Sequence, residues 1–224
     1  ELNKIKPEAH MEGGFLKLVR SNGMLWLRCP KFIFRPSNAD ALHVDIWNNG
    51  VNWIRDAGSY SYALSLNEHN IFSGTRGHST IQFDNRNQMP KVSRFLFAEW
   101  LKPKFIEYDI FKSNLSSAYV DFRNNFHQRS VSKINNGWRV DDKVISSSNS
   151  IVLRFLLCPG NWVQNDKQFI LDKTVIEIRS DKEASYSLKS GKESLFYLLE
   201  DRIPVIEIFF SKNNNLSSII TFNN

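Results

Sequence analysis

The chain contains only two cysteines, Cys29 and Cys158, among its 224 residues. Neither lies in a CxxC pair or in a Cys/His spacing typical of a metal site, which excludes a disulfide-rich scaffold and a zinc finger. Their wide separation in sequence leaves two interpretations open. They are either two buried free thiols, as cysteines often are, or the ends of one long-range disulfide.

Long apolar runs are also missing. No segment approaches the roughly 18–20 apolar residues of a membrane-spanning helix, and no charged-then-apolar signal segment follows the first residue, Glu1. We therefore expect no membrane span, and we expect a processed chain or a fragment of a longer protein. The 42% hydrophobic and 23% charged residues are ordinary for a globular protein and argue against wholesale disorder.

Basic runs are absent although the net charge is +6 and the pI is about 9.3. The lysines and arginines are spread along the chain, and no helix-turn-helix, zinc-finger or RNP pattern is present. The sequence therefore argues against a nucleic-acid partner. A diffuse positive field suits an acidic polysaccharide instead.

Convincing amphipathic helices are lacking in the first half of the chain, where short alternating segments and turn residues predict β-strands. Asn49-Gly50 favours a tight hairpin between two of them. The pattern predicts one all-β domain, an antiparallel β-sandwich over residues 14–224, with residues 1–13 as a lead-in or linker stub. The predicted strands are 15–20, 24–29, 38–47, 51–55, 79–84, 92–101, 105–111, 118–127, 138–145, 151–157, 175–179, 184–188, 195–199 and 205–210.

The sequence has no HxH or HExxH metal motif, but four potential ligands lie in or next to predicted strands: Asn38, Asp40, Asp56 and His78. If their strands are neighbours, these oxygen and nitrogen donors suit a divalent ion such as Zn²⁺, Mn²⁺ or Ca²⁺. The alternative is structural. In that case the two aspartates cap turns, and His78 hydrogen-bonds a backbone carbonyl.

Three segments, taken in order, resemble the core motif of the heparinase II/III-like family of polysaccharide lyases. The family pattern is roughly H-x-H-x-D-A-L, then D-x-G-[ST]-Y, then T-R-x-H-[NS]-T. Here residues 36–42 read PSNADAL, residues 56–60 read DAGSY and residues 75–80 read TRGHST. Weaker similarities follow at residues 84–89, 127–129 and 138–142.

The resemblance implies a β-sandwich-rich C-terminal region stacked on a separate N-terminal helical toroid, which is missing from this chain. It also implies a metal held at the positions of Asn38, Asp56 and His78. Asn38 departs from the family histidine. An amide oxygen is a harder and weaker ligand, which either shifts the preference from Zn²⁺ toward Ca²⁺ or leaves the site empty. Pro36 stands where the first histidine of the motif is expected.

The implied reaction is β-elimination on an acidic, uronate-containing glycan by a bacterial enzyme located in the periplasm, in the cell envelope or outside the cell. Within this chain the resemblance makes Tyr60 the catalytic tyrosine that faces substrate. The family's main catalytic tyrosine and its carboxylate-binding Asn or His belong to the helical toroid, so this chain alone is expected to be inactive. Arg35 and Arg76 are expected to pair with carboxylate or sulfate groups, or else to form structural ion pairs. Because Pro36 and Asn38 replace histidines, a non-catalytic glycan-binding or structural β module remains the alternative.

Overall fold

The computed structural model describes residues 10–61, 63, 71–93, 95–109 and 111–223. These residues form two large antiparallel sheets and a small two-stranded sheet. The predicted all-β, antiparallel sandwich is confirmed. Of the part predicted as a lead-in, residues 10–12 form a strand that pairs with the next one, and residues 1–9 lie outside the described part.

The first sheet has nine strands and carries the predicted site. Its strands are β1 His10–Glu12, β2 Phe15–Arg20, β3 Gly23–Arg28, β4 Val44–Asn48, β5 Val51–Arg55, β6 Ile81–Phe83, β13 Ile151–Leu157, β17 Ala184–Glu193 and β18 Asp201–Phe210. Their order is β1-β2-β3-β4-β5-β13-β18-β17, and β6 also pairs with β13. The two-stranded sheet consists of β7 Lys91–Ser93 and β8 Leu96–Phe97.

The second sheet has eight strands in the order β14-β15-β16-β19-β12-β11-β10-β9. These are β9 Pro103–Asp109, β10 Asn114–Val120, β11 Phe126–Ile134, β12 Gly137–Ile145, β14 Val163–Asn165, β15 Gln168–Leu171, β16 Thr174–Ser180 and β19 Asn214–Phe222. Side chains from both sheets share one continuous hydrophobic core, so the sheets pack face to face.

Strand β13 differs from its neighbours because every one of its residues is buried. Alternate residues such as Leu153 and Phe155 point into the shared core. On the opposite, outer face, Leu156 belongs to a second hydrophobic cluster with Ala57, Phe72, Ile203 and Val205. This second cluster lies beside the end of β5, where the predicted site begins.

The hairpin predicted at Asn49-Gly50 is confirmed between β4 and β5. Both residues have positive φ, 50° and 77°, which is the geometry of a type I′ turn. The two cysteines are both buried and free. Each lies just beyond the end of a strand, at the end of β3 and of β13.

The strand predicted from residue 38 was placed too early, since β4 begins only at Val44. Leu42 has a φ of 58°, outside the strand region. The backbone N–H and carbonyl of Ala41 are bonded by the side-chain amide of Gln88, at 2.9 Å each, and not by a neighbouring strand. Residues 38–42 are therefore a loop shaped by side chains.

Further strand predictions were wrong. The segment predicted as one strand at 92–101 contains two short strands, β7 and β8, that pair with each other. The strand predicted at 118–127 is broken between β10 and β11 because the Asp121 carboxylate accepts hydrogen bonds from the backbone N–H groups of Arg123 and Asn125. The segment 195–199 is an exposed loop. Three strands of the second sheet were missed: β14, β15 and, in the middle of the sheet, β19. Among the described residues, no helix has the length and apolar character needed to cross a membrane.

Candidate functional site

The three motif segments meet at one end of β4 and β5. The first and third are joined because the Thr80 hydroxyl donates to the carbonyl of Ala41 at 2.8 Å. The second and third are joined because the N–H of Ala57 donates to the carbonyl of Gly77 at 2.8 Å. The Ser79 hydroxyl adds a bond to the carbonyl of Arg55 at 2.9 Å. Segments that are far apart in sequence thus form one connected framework.

Gln88 was assigned no role in the sequence, although it lies in a segment with a weak family similarity. Its side chain is buried and bonds both backbone groups of Ala41, while its own N–H donates to the hydroxyl of Thr75 at 2.9 Å. It fixes the first motif segment against the third. A buried amide that satisfies two backbone groups at once is a positioning element.

Two buried imidazoles form the centre of this framework. The rings of His43 and His78 pack edge to face, with centroids 5.6 Å apart. The Nδ1 atom of His43 accepts a hydrogen bond from the N–H of Ser79 at 2.9 Å, which places the ring proton on Nε2. Burial, together with the charge of His78, lowers the pKa of His43 to about 3. His43 is therefore a neutral ring.

Two carboxylates adjoin these rings. Burial opposes ionisation of Asp56, but the electrostatic effect of His78, the hydrogen bond from the N–H of Gly58 and the charge of Arg55 outweigh it, and the pKa of Asp56 is lowered. Burial raises the pKa of Asp40, although His78 and Arg28 act in the opposite direction. Asp56 is thus the carboxylate that stays charged beside the imidazoles. Its Oδ1 also accepts a hydrogen bond from the N–H of Gly58 at 2.6 Å, which is the turn-capping role that the structural alternative predicted.

His78 is the least satisfied polar group of the site. It is 2% exposed, and within the described residues neither of its ring nitrogens has a hydrogen-bond partner. The backbone-carbonyl partner expected under the structural alternative is not found there. An imidazole buried without a partner beside an ionised carboxylate fits a cation.

A complete ligand set is less evident. In the described part of the chain, no group of three or more His, Cys, Asp or Glu side chains is arranged to hold a metal ion. A site with Asp56 and His78 would therefore need a third ligand of another residue type. The sequence predicts Asn38 as that ligand. Asn38 is partly buried in the loop before β4. The donor types present fit a divalent cation.

Tyr60 lies at the end of the second motif segment with a φ of 55°. Its ring stacks on Phe72, with centroids 5.7 Å apart and planes 10° apart, and it packs against the second hydrophobic cluster. Its carbonyl accepts a hydrogen bond from the N–H of Leu198 at 3.0 Å. The ring is therefore held against Phe72 and the second hydrophobic cluster, while the backbone of Tyr60 is bonded to the 195–199 loop.

The two predicted arginines are in different places. Arg76 is exposed and lines a pocket of about 370 Å³ on the outer face of the first sheet. This basic pocket is lined mainly by Arg76, Arg154, Leu156, Lys189, Lys192 and Glu207. Arg35 is also exposed, but its guanidinium lies against the ring of its neighbour Phe34, at 6.0 Å, and it does not line the basic pocket. The structure brings Arg76, not Arg35, to the pocket.

Comparison of the sequence with protein families matches residues 9–207 to the family described as heparinase II/III-like, C-terminal. The match covers most of the chain. The chain belongs to the heparinase II/III-like family. No curated protein sequence matches it significantly.

Solved structures share the fold of this heparinase II/III-like chain. A heparinase III gene product aligns with a TM-score of 0.79 at 20% identity, covering 96% of this chain and 35% of that one. A heparan sulfate lyase from Pedobacter heparinus aligns with a TM-score of 0.75 at 23% identity, covering 97% and 36%. Another heparinase III aligns with a TM-score of 0.78 at 16% identity, covering 97% and 37%. The chain thus spans about a third of the length of these proteins.

One buried network of this heparinase II/III-like domain had only a weak signal in the sequence, at residues 127–129 and 138–142. Arg129, on β11, crosses the core from the second sheet and is fully buried. Its Nη1 donates to the carbonyls of Leu42 and Ser79 at 2.6 and 2.7 Å. Its Nε and Nη2 bond both oxygens of Asp142 at 2.7 and 2.9 Å. Arg129 thus ties two motif segments to the opposite sheet.

The charge state of this network follows from its contacts. Burial by itself raises the pKa of Asp142, but Arg129 and His127 outweigh burial and bring the pKa down to about 2. Burial lowers the pKa of His127 even though Asp142 opposes this effect. A neutral His127 therefore donates from Nε2 to Asp142 at 2.7 Å, beside a charged arginine-carboxylate pair.

Proposed function

We propose that this chain is the C-terminal domain of a polysaccharide lyase that cleaves an acidic, uronate-containing glycan by β-elimination. The supporting observation is the grouping of functional side chains around one corner of the first sheet. Tyr60 packs on the hydrophobic cluster that floors the basic pocket, and Arg76 lines that pocket. The imidazole of His78 lies two residues further along the chain from Arg76.

The proposed chemistry assigns a role to each group. A base takes the proton on the carbon next to the uronate carboxylate, the bond from the neighbouring carbon to the glycosidic oxygen breaks, and a double bond forms between the two carbons. An acid then protonates the leaving oxygen. We assign Tyr60 to proton transfer and Arg76 to pairing with the uronate carboxylate, which makes the adjacent carbon more acidic.

The remaining parts of the proposal concern the rest of the protein. The related solved structures are about three times as long as this chain. We propose that an N-terminal helical domain of the same protein completes the active site. The exposed apolar loop at 195–199, in which Phe196 is 70% exposed, offers a contact surface next to Tyr60. An acidic glycan as substrate also favours the periplasm, the cell envelope or the outside of the cell as the location.

A bound divalent ion, Zn²⁺, Ca²⁺ or Mn²⁺, is a further part of the proposal. Asp56 and His78 would hold it, with Asn38 as the third ligand. When bound, such an ion would supply positive charge next to the substrate site. The residues themselves supply an ionised carboxylate and an imidazole with two unpartnered nitrogens.

The metal proposal predicts a measurable stoichiometry. Protein purified without chelator is expected to contain about one divalent ion per chain by elemental analysis, and the ion is expected to be lost in both Asp56→Ala and His78→Ala. Asp45→Ala, which removes a partly buried carboxylate bonded to Trp47 and Asn52, is the matched control and is expected to keep the ion. An ion absent from the parent protein, or retained in both variants, refutes the site.

A second candidate function is a non-catalytic glycan-binding or structural β module. It is favoured by Pro36 and Asn38, which stand at two histidine positions of the family motif. Pro36 is buried and has no group that can transfer a proton. A protein with this function would still have the pocket but would not cleave a glycan.

The lyase proposal is tested by turnover. The full-length protein is expected to release unsaturated uronate products, which absorb in the near ultraviolet, from at least one member of a panel of uronate-containing polysaccharides. Heparan sulfate belongs in that panel because a related solved structure is a heparan sulfate lyase. If no polysaccharide of the panel yields unsaturated products while the protein binds glycans on an array, the non-catalytic function is favoured.

A further inference from the structure

Most walls of the basic pocket come from strands that lie outside the three motif segments. Residues on β13, β18 and β17 that point away from the sandwich core form its walls, and the turn at Thr75–Gly77 closes one side. Its floor is apolar and consists of Ala57, Leu156 and Val205, three members of the second hydrophobic cluster. A volume of about 370 Å³ lies within the range of about 300–1,000 Å³ found for small-molecule sites.

Arg154 provides a fixed positive charge in this pocket. It is 5% exposed, its Nε donates to Glu207 at 2.7 Å and its Nη1 donates to Gln82 at 2.6 Å. Burial lowers the pKa of Arg154, the bond to Glu207 raises it, and the positive charge of Arg76 lowers it further. The two hydrogen bonds fix the orientation of the Arg154 guanidinium. The guanidinium of Arg76 lies near enough to repel it.

The other cations of the pocket leave a positive excess. Lys192 pairs with Glu200 at 2.8 Å. Neither Arg76 nor Lys189 has an ion-pair partner among the residues that the structure describes, and both are exposed. Of the described lining residues, four are cationic and one, Glu207, is anionic. Like charges gathered over an apolar floor are stabilised when an anion lies between them.

We propose that the basic pocket binds the acidic group, a carboxylate or a sulfate, of one sugar of the glycan, with Arg154 and Lys189 as binding residues beside Arg76. The apolar floor at Leu156 and Val205 would receive a face of the sugar ring, while the guanidinium groups bond the anion. This inference rests on the proposed function and deepens it, because it adds two binding residues from β13 and β17, outside the family motif.

The test measures binding directly and does not depend on turnover. The full-length protein is titrated with methyl glucuronide, which has no sugar leaving group and cannot be cleaved, with inorganic sulfate, and with neutral methyl glucoside. NMR titration gives each Kd. We expect the glucuronide or sulfate to bind more tightly than the glucoside. Lys189→Gln should weaken this binding about two- to fivefold, and Arg154→Gln should weaken it about tenfold or more.

The matched control is Lys182→Gln, which removes an equally exposed lysine near the other end of β17, outside the basic pocket. It should leave each Kd unchanged. Arg154→Gln disturbs a buried ion pair. If the Arg154→Gln variant fails to fold, Lys189→Gln alone decides the test. Preference for the glucuronide identifies a carboxylate subsite, and preference for sulfate identifies a sulfate subsite.

Two results overturn the proposal: acidic probes that bind no better than the glucoside, and a Kd that is the same in Lys189→Gln as in the parent. Turnover of a polysaccharide with either of these results would leave the lyase function standing without this subsite. Binding that depends on Lys189, in a protein without turnover, would keep the subsite and exclude the lyase function.

Discussion

Replacing Arg129 by methionine is expected to lower the free energy of unfolding by about 3–5 kcal/mol, because it leaves the buried charge of Asp142 without its cationic partner. The Asp142 carboxylate would lose both bonds from the guanidinium and keep only the bond from His127. The carbonyls of Leu42 and Ser79 would lose their charged donor at the same time. Urea unfolding followed by tryptophan fluorescence measures the change.

Two controls separate these causes. The double variant Arg129→Met/Asp142→Leu removes both charges. It should recover the part of the stability loss that is caused by the unpaired Asp142 carboxylate. It should retain a loss of about 1–3 kcal/mol, because the carbonyl of Leu42 stays without its donor and His127 loses its acceptor. The carbonyl of Ser79 keeps the bond from the N–H of Val44 at 3.3 Å. Arg139→Met breaks the exposed pair with Asp141 on β12 and should change stability by less than about 1 kcal/mol. An Arg129→Met variant as stable as Arg139→Met would contradict the prediction.

The role of Arg129 also shows what the sequence could not provide. Its contacts join residues 87 and 50 positions apart, and they cross from one sheet to the other. Local patterns such as strand alternation or turn residues carry no information about such a contact. The sequence indicated only a weak family similarity at residues 127–129, with Arg129 outside the predicted strands, and the packing of the two sheets gives Arg129 its partners.

Strands were predictable where their local pattern agrees with the fold. The apolar run of β13 and the Asn49-Gly50 hairpin were found correctly because burial and turn geometry determine both. Strand β19 was missed because its buried face includes Asn214 and Ser218, so the alternation of burial is not an alternation of hydrophobicity. The strand prediction at 195–199 was wrong for the opposite reason, because the apolar residues of this segment are exposed.

The candidate site was predicted in part. The motif order brought Asp56 and His78 to one framework, and Arg76 to the adjacent pocket. The sequence did not indicate that residues 38–42 form a loop, because the shape of that loop depends on the distant side chains of Gln88 and Arg129. It also gave no sign of Arg154 and Lys189, which reach the pocket through strand pairing with β18.

Under the proposed lyase function, replacing Tyr60 by phenylalanine is expected to lower the kcat of the full-length protein by about 10²–10⁴-fold, the usual contribution of a positioned acid or base. The substitution removes only the hydroxyl and keeps the ring that stacks on Phe72 at 5.7 Å. The backbone bond from Leu198 to the Tyr60 carbonyl is also kept. The fold should therefore stay intact, so that the loss falls on turnover and leaves the melting temperature close to that of the parent.

Tyr197→Phe is the matched control for this prediction. Tyr197 lies in the neighbouring 195–199 loop, is 64% exposed, and has its hydroxyl 3.4 Å from the hydroxyl of Ser61. Its loss should change kcat by less than about threefold, since an exposed hydrogen bond contributes little. If Tyr60→Phe retains parental kcat while the parent turns over substrate, the proton is transferred by another group and Tyr60 only packs against Phe72 and the second hydrophobic cluster. A large loss in Tyr60→Phe alone excludes the non-catalytic function, because a binding module has no turnover to lose.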